Sequence, residues 1–166
     1  MKKIVWLAGL LIVTLVSWVS PARAVDEAME ATMAKSLLDK CVALIAKEGA
    51  INAFYQMNTR PDQFAYGEIY VWVVNSNGVI FAHSVDPTLV GSDLNEVVVA
   101  KDDGTRKLAR ELVKNLQAQE EGTVEYEWFN PSSGKIEHKQ SFFKQVYPPK
   151  VVASFYVLTG YFTPHE

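Results

Sequence analysis

Tyrosines, tryptophans and a histidine, each with an apolar body and a polar tip, recur on segments that alternate like β-strands. In YVWVVNSNGVIFAHS, residues 70–84, Tyr70 and Trp72 fall on one side of the strand pattern, and His83 ends the second half of a hairpin. Core packing would explain any one of them. Several such polar tips in one core would all need partners, so we interpret the set as the wall of a small-molecule cleft. The aromatic set is Tyr70, Trp72, His83, Tyr126, Trp128 and Tyr156.

A lysine in the middle of a predicted strand adds a charge to this set. Lys139 lies in HKQSFF, where a charged side chain is unexpected unless it points to water or pairs. Exposure to solvent is therefore one alternative. At the floor of an aromatic cleft, the same lysine would favour a carboxylate ligand. The candidate ligand-binding residues are Tyr70, Trp72, His83, Tyr126, Trp128, Lys139 and Tyr156.

No motif in the sequence indicates catalysis, a metal or a cofactor. The histidines His83, His138 and His165 show no i,i+4 spacing, and Cys41 is the single cysteine. Neither a phosphate-binding glycine loop nor a G-x-S-x-G elbow occurs. We therefore expect no catalytic residue, no metal and no cofactor. An enzyme of small substrates is the alternative, and it would have to use His83 beside Lys139.

Two further features have structural interpretations. Asp102 and Asp103, in DDGTRKLARE, lack the ligand spacing of a calcium loop, and we expect them to cap the N-terminus of a helix. Cys41 falls on the apolar stripe of a predicted helix, which indicates a buried and inert thiol.

The first residues are typical of an export signal. Two lysines precede an uncharged apolar run over residues 4–19, and alanines follow at positions 22 and 24. We expect a signal peptide over residues 1–24, cleaved after Ala24, and one exported domain over residues 25–166. An uncleaved membrane anchor is the alternative.

The balance of charge argues against nucleic acid as a partner. Without the signal segment the chain keeps thirteen basic and nineteen acidic side chains, a net charge of about −6. No basic patch interleaved with aromatic residues offsets this charge.

Hydrophobic periodicity predicts the order helix, strand, strand, helix, strand, strand, strand. Helices are predicted over residues 26–48, ended by Gly49, and over residues 105–119. The apolar stripe of the first helix is Met29, Met33, Leu37, Cys41, Leu44 and Ile45. The predicted strands cover residues 68–74, 79–84, 123–129, 136–146 and 151–162.

These elements predict an α+β fold, with an antiparallel sheet of about five strands and a long N-terminal helix on one face. The first strand is apolar on both sides and is expected to be central. Residues 50–66 show no clear period, and Pro61 indicates a loop there.

Four segments, taken in order, resemble the single Cache domain of bacterial extracytoplasmic sensors. They are GEIYVWVVNSNGVIFAHSVDPTLVGSDL, DDGTRKLARELV, EEGTVEYEWFNPSSGKIEHKQSFFKQV and VVASFY. The resemblance covers about residues 66–157. It implies a PAS-like antiparallel sheet, and it implies binding of small organic molecules, often short carboxylates, between the sheet and its covering loops.

Position by position, the resemblance assigns the first hairpin, the second hairpin and the last strand to the ligand wall. The residues are Tyr70, Trp72 and His83, then Tyr126, Trp128 and Lys139, and finally Tyr156. It implies a periplasmic or otherwise exported sensor of the chemotaxis type that acts in signal transduction and is not an enzyme. The sequence departs from the family at Ser84, where proline is more common after the histidine.

The partners follow from this interpretation. Many Cache domains lie between two transmembrane helices, whereas this chain stops at Glu166. We therefore expect a free-standing binding protein that takes a small, anionic ligand and signals to a membrane-bound partner. The alternative is an interaction domain without a metabolite ligand, forming a homodimer through the helix at residues 26–48.

Overall fold

The computed structural model describes residues 21–96, 98–102, 105–108 and 110–163, and the side chains at 26–96 and 111–163. The signal segment up to residue 20 and His165 lie outside these ranges. The helices are α1 Pro21–Glu48, α2 Ala50–Thr59, α3 Pro61–Phe64 and α4 Arg110–Gln117. The strands are β1 Ala65–Tyr66, β2 Ile69–Asn75, β3 Ile80–His83, β4 Val98–Asp102, β5 Thr105–Leu108, β6 Glu121–Asn130, β7 Lys135–Val146 and β8 Phe155–Thr163.

Six of the described strands form one antiparallel sheet in the order β1-β2-β8-β7-β6, with β3 paired to β2. The predicted α+β class and the central position of β2 are confirmed. The sheet exceeds the expected five strands because the two-residue β1 joins its edge. β4 and β5 form a separate two-stranded sheet.

The sheet separates two apolar cores, and the alternation of β2 and β8 supplies both. Ile69, Val71 and Val73 pack against α1 and α2 on one face. Tyr70, Trp72 and Val74 point to the opposite face, where the leucines and valine of α4 cover part of the sheet. This second face carries the candidate site.

Helix α1 confirms the long helix predicted at residues 26–48, and Gly49, with a φ of 81°, follows its end. The described part of α1 already begins at Pro21, before the predicted start at residue 26. The buried stripe differs from the predicted one. Met29 and Met33 are 58% and 38% exposed, because the sheet contacts α1 from Ala34 onward.

The loop expected at residues 50–66 is wrong, because α2 and α3 occupy most of it. Ala50, Ala53, Phe54 and Met57 are buried at i, i+3, i+4 and i+7, which is the spacing of one helix face. Two of these positions are alanines, so the apolar stripe is weak in the sequence. Pro61 begins α3 instead of interrupting a loop.

The helix predicted over residues 105–119 is correct only in its second half. Thr105–Leu108 is strand β5, and α4 begins at Arg110. Asp102 ends strand β4, so its predicted role in capping a helix is wrong, and Asp103 lies outside the described residues. The predicted apolar face of α4 is confirmed by buried Leu112, Val113 and Leu116.

Candidate functional site

Four strands bring six of the seven predicted residues into one cluster on the α4 side of the sheet. β2 supplies Tyr70 and Trp72, and β3 supplies His83, which lies directly opposite Trp72 in the antiparallel register. β6 and β7 supply another opposed pair, Tyr126 and Lys139. Trp128 of β6 completes the group, which is Tyr70, Trp72, His83, Tyr126, Trp128 and Lys139.

Lys139 lies at the bottom of this cluster and is fully buried. Its Nζ lies 3.3 Å from the centroid of the Tyr70 ring and 4.3 Å from that of Phe162. Burial lowers the pKa of Lys139 well below its ordinary value, and the more distant Glu68 carboxylate opposes this shift. The lysine is therefore held against two aromatic faces, so the alternative that it points to solvent is wrong.

Stacked aromatic rings form the side of the cluster. Trp72 and Trp128 stack with ring centroids 5.4 Å apart, and Tyr126 meets both rings edge-on. The Tyr126 hydroxyl lies 2.9 Å from Ser141 Oγ, so its polar tip is satisfied within the protein. Tyr126 thus contributes a fixed apolar wall.

His83 is oriented so that one ring nitrogen remains available. The backbone N–H of Asp86 donates to its Nδ1 over 3.0 Å, so the hydrogen of the neutral ring lies on Nε2. Burial and the nearby Lys139 lower the pKa of His83 to about 4, against a weaker opposing effect of Asp86. At neutral pH the ring is therefore uncharged, its Nε2 is a buried donor, and it packs against the rings of Tyr70 and Trp128.

Four buried polar atoms of this cluster lack a well-formed hydrogen bond in the described part of the chain: Tyr70 Oη, Trp72 Nε1, His83 Nε2 and Lys139 Nζ. Two of them still have polar neighbours, since Trp128 interacts with the Tyr70 hydroxyl and Trp72 with the Tyr126 hydroxyl. All four can donate a hydrogen bond. Leaving buried donors without acceptors costs about 1 to 3 kcal/mol each. A small acceptor-rich molecule would satisfy several at once, and a negative charge on it would favour protonated Lys139.

Tyr156 does not join the cluster. It lies on the same face of the sheet but six positions along β8 from Phe162, which corresponds to about 20 Å. There it packs against the ring of Phe143 and lies opposite Val74 of β2. Tyr156 is part of the apolar core at the other end of this face.

Sequence reasoning missed three residues at the base of the cluster. Phe162 covers Lys139, and Gly160 lies directly opposite both Tyr70 and Ser141 in the sheet. A Cβ at Gly160 would overlap the Gln140 carbonyl oxygen and the Ser141 side chain, so the strands need glycine there. The strict alternation of β8, which puts positions 156, 158, 160 and 162 on one face, was the available signal.

Ser84, where the sequence departs from the family pattern, is a buried anchor beside His83. Its backbone N–H donates to the Val71 carbonyl over 3.0 Å. Its Oγ lies 2.9 Å and 3.1 Å from the carbonyl oxygens of Phe64 and Val71. A proline could make neither of these contacts, so serine ties the end of β3 to β2 by its own hydrogen bonds.

His138 lies outside the cluster, 3.4 Å and 3.6 Å from carboxylate oxygens of Glu127 and Glu125. In the described part of the chain, no group of three or more histidine, cysteine or acidic side chains could hold a metal ion. The buried polar atoms of the cluster that lack a hydrogen bond can all donate, so they suit an anion better than a cation.

Solved structures with the same architecture are sensor domains. A periplasmic sensor domain of a chemotaxis protein matches with a TM-score of 0.57 and 23% identity, over 87% of this chain and 99% of that one. A Cache chemosensory domain, studied for carboxylic acid recognition, matches with a TM-score of 0.55 and 19% identity, over 86% and 94%. A methyl-accepting chemotaxis protein from Vibrio parahaemolyticus RIMD 2210633 gives a TM-score of 0.58 and 18% identity, over 85% and 95%.

This likeness defines the fold as that of the PAS-like extracytoplasmic sensor domains. The family model of Single Cache domain 2 matches residues 28–157, and the chain belongs to that family. A comparison with curated proteins gave no match. Within the described ranges, none of the helices combines the length and the apolar character needed to cross a membrane.

Proposed function

We propose that this chain is an exported sensor domain that binds a small organic anion, with a short carboxylate as the preferred class, in the cluster around Lys139. The observation that carries the proposal is Lys139 Nζ, which is fully buried and has no hydrogen-bond acceptor among the described side chains. Three more buried donors without a hydrogen bond belong to the same cluster: Tyr70 Oη, Trp72 Nε1 and His83 Nε2. The carboxylic acid named for one structural neighbour supports the same ligand class.

Each donor has a role in this proposal. Lys139 supplies the charge that a carboxylate oxygen requires, and His83 Nε2 and Trp72 Nε1 supply neutral donors on the walls. Tyr70 carries the ring that covers Lys139 and a hydroxyl that can donate or accept. Trp128 and Tyr126 close the apolar side of the space, which selects a small ligand over an extended one.

The proposed setting is the periplasm. The signal peptide over residues 1–24 is part of the proposal, and mass spectrometry of protein from the periplasmic fraction tests it. An N-terminus at Val25 supports cleavage after Ala24, whereas an intact Met1 would support the membrane anchor. A membrane-bound signalling protein is the proposed recipient of the signal.

Thermal shift of the purified protein is the experiment that tests ligand binding. The panel contains acetate, propionate, amino acids, amines and purines, at concentrations up to a hundred times a measured Kd. At that ratio a ligand of the folded state adds about 2.7 kcal/mol of stability, which is several degrees in Tm. A rise confined to carboxylates supports the proposal, and no rise with any carboxylate contradicts it.

Two variants of strand β7 make the test specific. Lys139→Met removes the buried amine, whereas Lys144→Met removes an exposed amine paired to Glu121 over 2.8 Å. We expect Lys139→Met to lose the carboxylate response and Lys144→Met to keep it. Equal responses in both variants would remove Lys139 from the site.

A homodimer along α1 is the alternative function that an observation favours. Met29 and Met33 are exposed on this helix, and Met33 lines one surface groove with Tyr66, which is also exposed. Burial of this patch by a second copy would make Tm rise with protein concentration. Analytical ultracentrifugation of the unsubstituted protein and of Met33→Glu decides whether the patch forms a dimer.

A further inference from the structure

Strand β3 is held at two places on the side away from β2. Ile80 exchanges backbone hydrogen bonds with Ser92 and Gly91, and the end of the strand at Phe81 and His83 is held by one side chain of helix α2. β3 pairs with β2 along one side. On its other side the Asn58 amide nitrogen donates to the Phe81 carbonyl over 3.2 Å, and the His83 backbone N–H donates to Asn58 Oδ1 over 2.9 Å. The asparagine amide thus bonds both groups as a neighbouring strand would.

His83 is thereby fixed at two points. Asn58 holds its backbone, and the Asp86 N–H holds Nδ1 of its ring. With both contacts in place, the His83 ring packs against Tyr70 and Trp128, with ring centroids 5.0 Å and 6.4 Å away, and its Nε2 is buried without a hydrogen bond. A small rotation of the β3 backbone would carry this donor away from Lys139, because the ring has no other described hydrogen bond.

Asn58 belongs to a helix that packs on the opposite side of the sheet from the cluster. Ala53, Phe54 and Met57 of α2 are buried in the core that also contains α1. The Phe54 ring contacts Phe81 of β3, with centroids 6.1 Å apart. The position of β3, and with it that of His83, therefore depends on where α2 packs.

We propose that Asn58 is a positioning residue that sets His83 in the ligand site and joins that site mechanically to α2. The inference rests on the proposed function for its ligand-dependent part. Its ligand-free part, the orientation of His83, can be measured whether or not a carboxylate binds. If a ligand displaced His83, the hydrogen bonds to Asn58 would transmit the displacement to α2. Helix α2 would thus be linked directly to the occupied site.

The first measurement uses the ligand-free protein. In Asn58→Ala the His83 amide loses its acceptor, and we expect its hydrogen exchange to quicken by about tenfold, the equivalent of one hydrogen bond. ¹⁵N NMR of the His83 ring should change from one tautomer to a mixture as Nδ1 and the Asp86 N–H separate. Asn52→Ala is the matched control, because Asn52 lies on the same helix, is exposed and contacts the Glu48 carbonyl.

Asn58→Asp is a second variant that keeps the size of the side chain. It retains an oxygen for the His83 N–H and loses the donor to Phe81. We expect His83 to keep its tautomer and most of its amide protection in Asn58→Asp. If Asn58→Ala fails to fold, the tautomer in Asn58→Asp decides the proposal, since a mixed tautomer with the Oδ1 acceptor retained would overturn it.

The second measurement is a double-mutant cycle on the affinity for acetate. Asn58→Ala should weaken acetate binding by about tenfold in the unsubstituted protein and by less than about twofold when His83→Asn is already present. Equal weakening in both backgrounds would show a general structural effect and would overturn the positioning role. If the unsubstituted protein binds no carboxylate, the proposed function fails, and the His83 tautomer and amide exchange still decide the role of Asn58.

Discussion

Lys139 Nζ lies 3.3 Å from the centroid of the Tyr70 ring, so the buried basic group of this protein meets an aromatic face instead of a carboxylate. A cation over such a ring gains about 2 kcal/mol or more when both are desolvated. That gain is smaller than the several kcal/mol that burial of a charge costs. The aromatic faces therefore do not compensate fully for a charge on Lys139, and burial favours the neutral amine.

The first prediction concerns the loss of stability that buried Lys139 causes in the ligand-free protein. Lys139→Met should raise the free energy of unfolding at pH 7 by roughly 1 to 4 kcal/mol, because an apolar side chain of similar length replaces a buried basic group. Urea unfolding without ligand measures this change. Lys144→Met on the same strand, an exposed position, should change stability by less than about 1 kcal/mol.

The same substitution should change the pH dependence of stability. The pKa of Lys139 is lowered in the folded state, so the unfolded chain binds more protons below an unfolded lysine pKa of about 10.4. The contribution of Lys139 to stability therefore rises with pH up to that value and falls as the solution becomes more acidic. The free energy of unfolding, measured at pH 7 and pH 9, should change less with pH in Lys139→Met than in the unsubstituted protein. An equal change with pH in both proteins would contradict the burial of an unpaired amine.

His83 should make the protein less stable in mild acid. Its pKa of about 4 in the folded state lies below the ordinary 6.5, so the unfolded chain takes up a proton first as pH falls. The contribution of His83 to the free energy of unfolding is fully present above pH 6.5 and decreases down to about pH 4, by about 3 kcal/mol in total. The free energy of unfolding, measured across this range, should depend less on pH in His83→Asn than in the unsubstituted protein.

Gly160→Ala should destabilise the sheet beneath the site. The added Cβ would overlap the Gln140 carbonyl oxygen and the Ser141 side chain, and a backbone oxygen cannot move away without breaking the β7–β8 ladder. We expect a loss of about 1 to 3 kcal/mol in urea unfolding, the usual cost of overpacking. Gly134→Ala is the comparison. Gly134 lies in the open β6–β7 turn, where an added Cβ would meet no neighbour but φ is 71°. A smaller loss of stability in Gly134→Ala than in Gly160→Ala would separate the effect of backbone strain from that of atomic overlap.

The thiol of Cys41 should be unreactive until the protein unfolds. It is buried against the sheet, and burial raises its pKa to about 12, so very little thiolate forms at pH 8. Titration with Ellman's reagent should give no native reaction and one equivalent in urea. Rapid labelling under native conditions would mean that α1 separates from the sheet.

The alternation of the sequence predicted that Tyr70 and Trp72 share one side of their strand, and that Tyr126 and Trp128 share one side of theirs. It could not decide whether Lys139 was covered or exposed. That outcome depends on Phe162 and on Tyr70, which approach it from two other strands. Tyr156 was placed in the wall for the opposite reason, since a shared face does not show how far apart two residues lie along it.

The helices were less predictable where their buried residues are small. Ala50 and Ala53 bury one face of α2 without a strong apolar signal, and Asn58 meets β3 across 25 positions of sequence. Such a contact depends on how two elements pack, and neither element specifies it alone. The segment ending at Leu108 was wrongly joined to α4, because its Leu108 continues the apolar spacing of the following helix.

Because the side chains of β2 alternate between two cores, the packing of this strand also specifies its pairing register. A shift of one residue in its pairing would turn Val71 and Val73 toward the ligand face and send Trp72 under the helices. The core under α1 and α2 would then have to hold an indole where valines now pack. Tyr70 and Trp72 would both leave the face of the Lys139 cluster. A chain that pairs β2 so that Val71 and Val73 pack under α1 and α2 has therefore also turned Tyr70 and Trp72 toward the Lys139 cluster, so the same register specifies both faces.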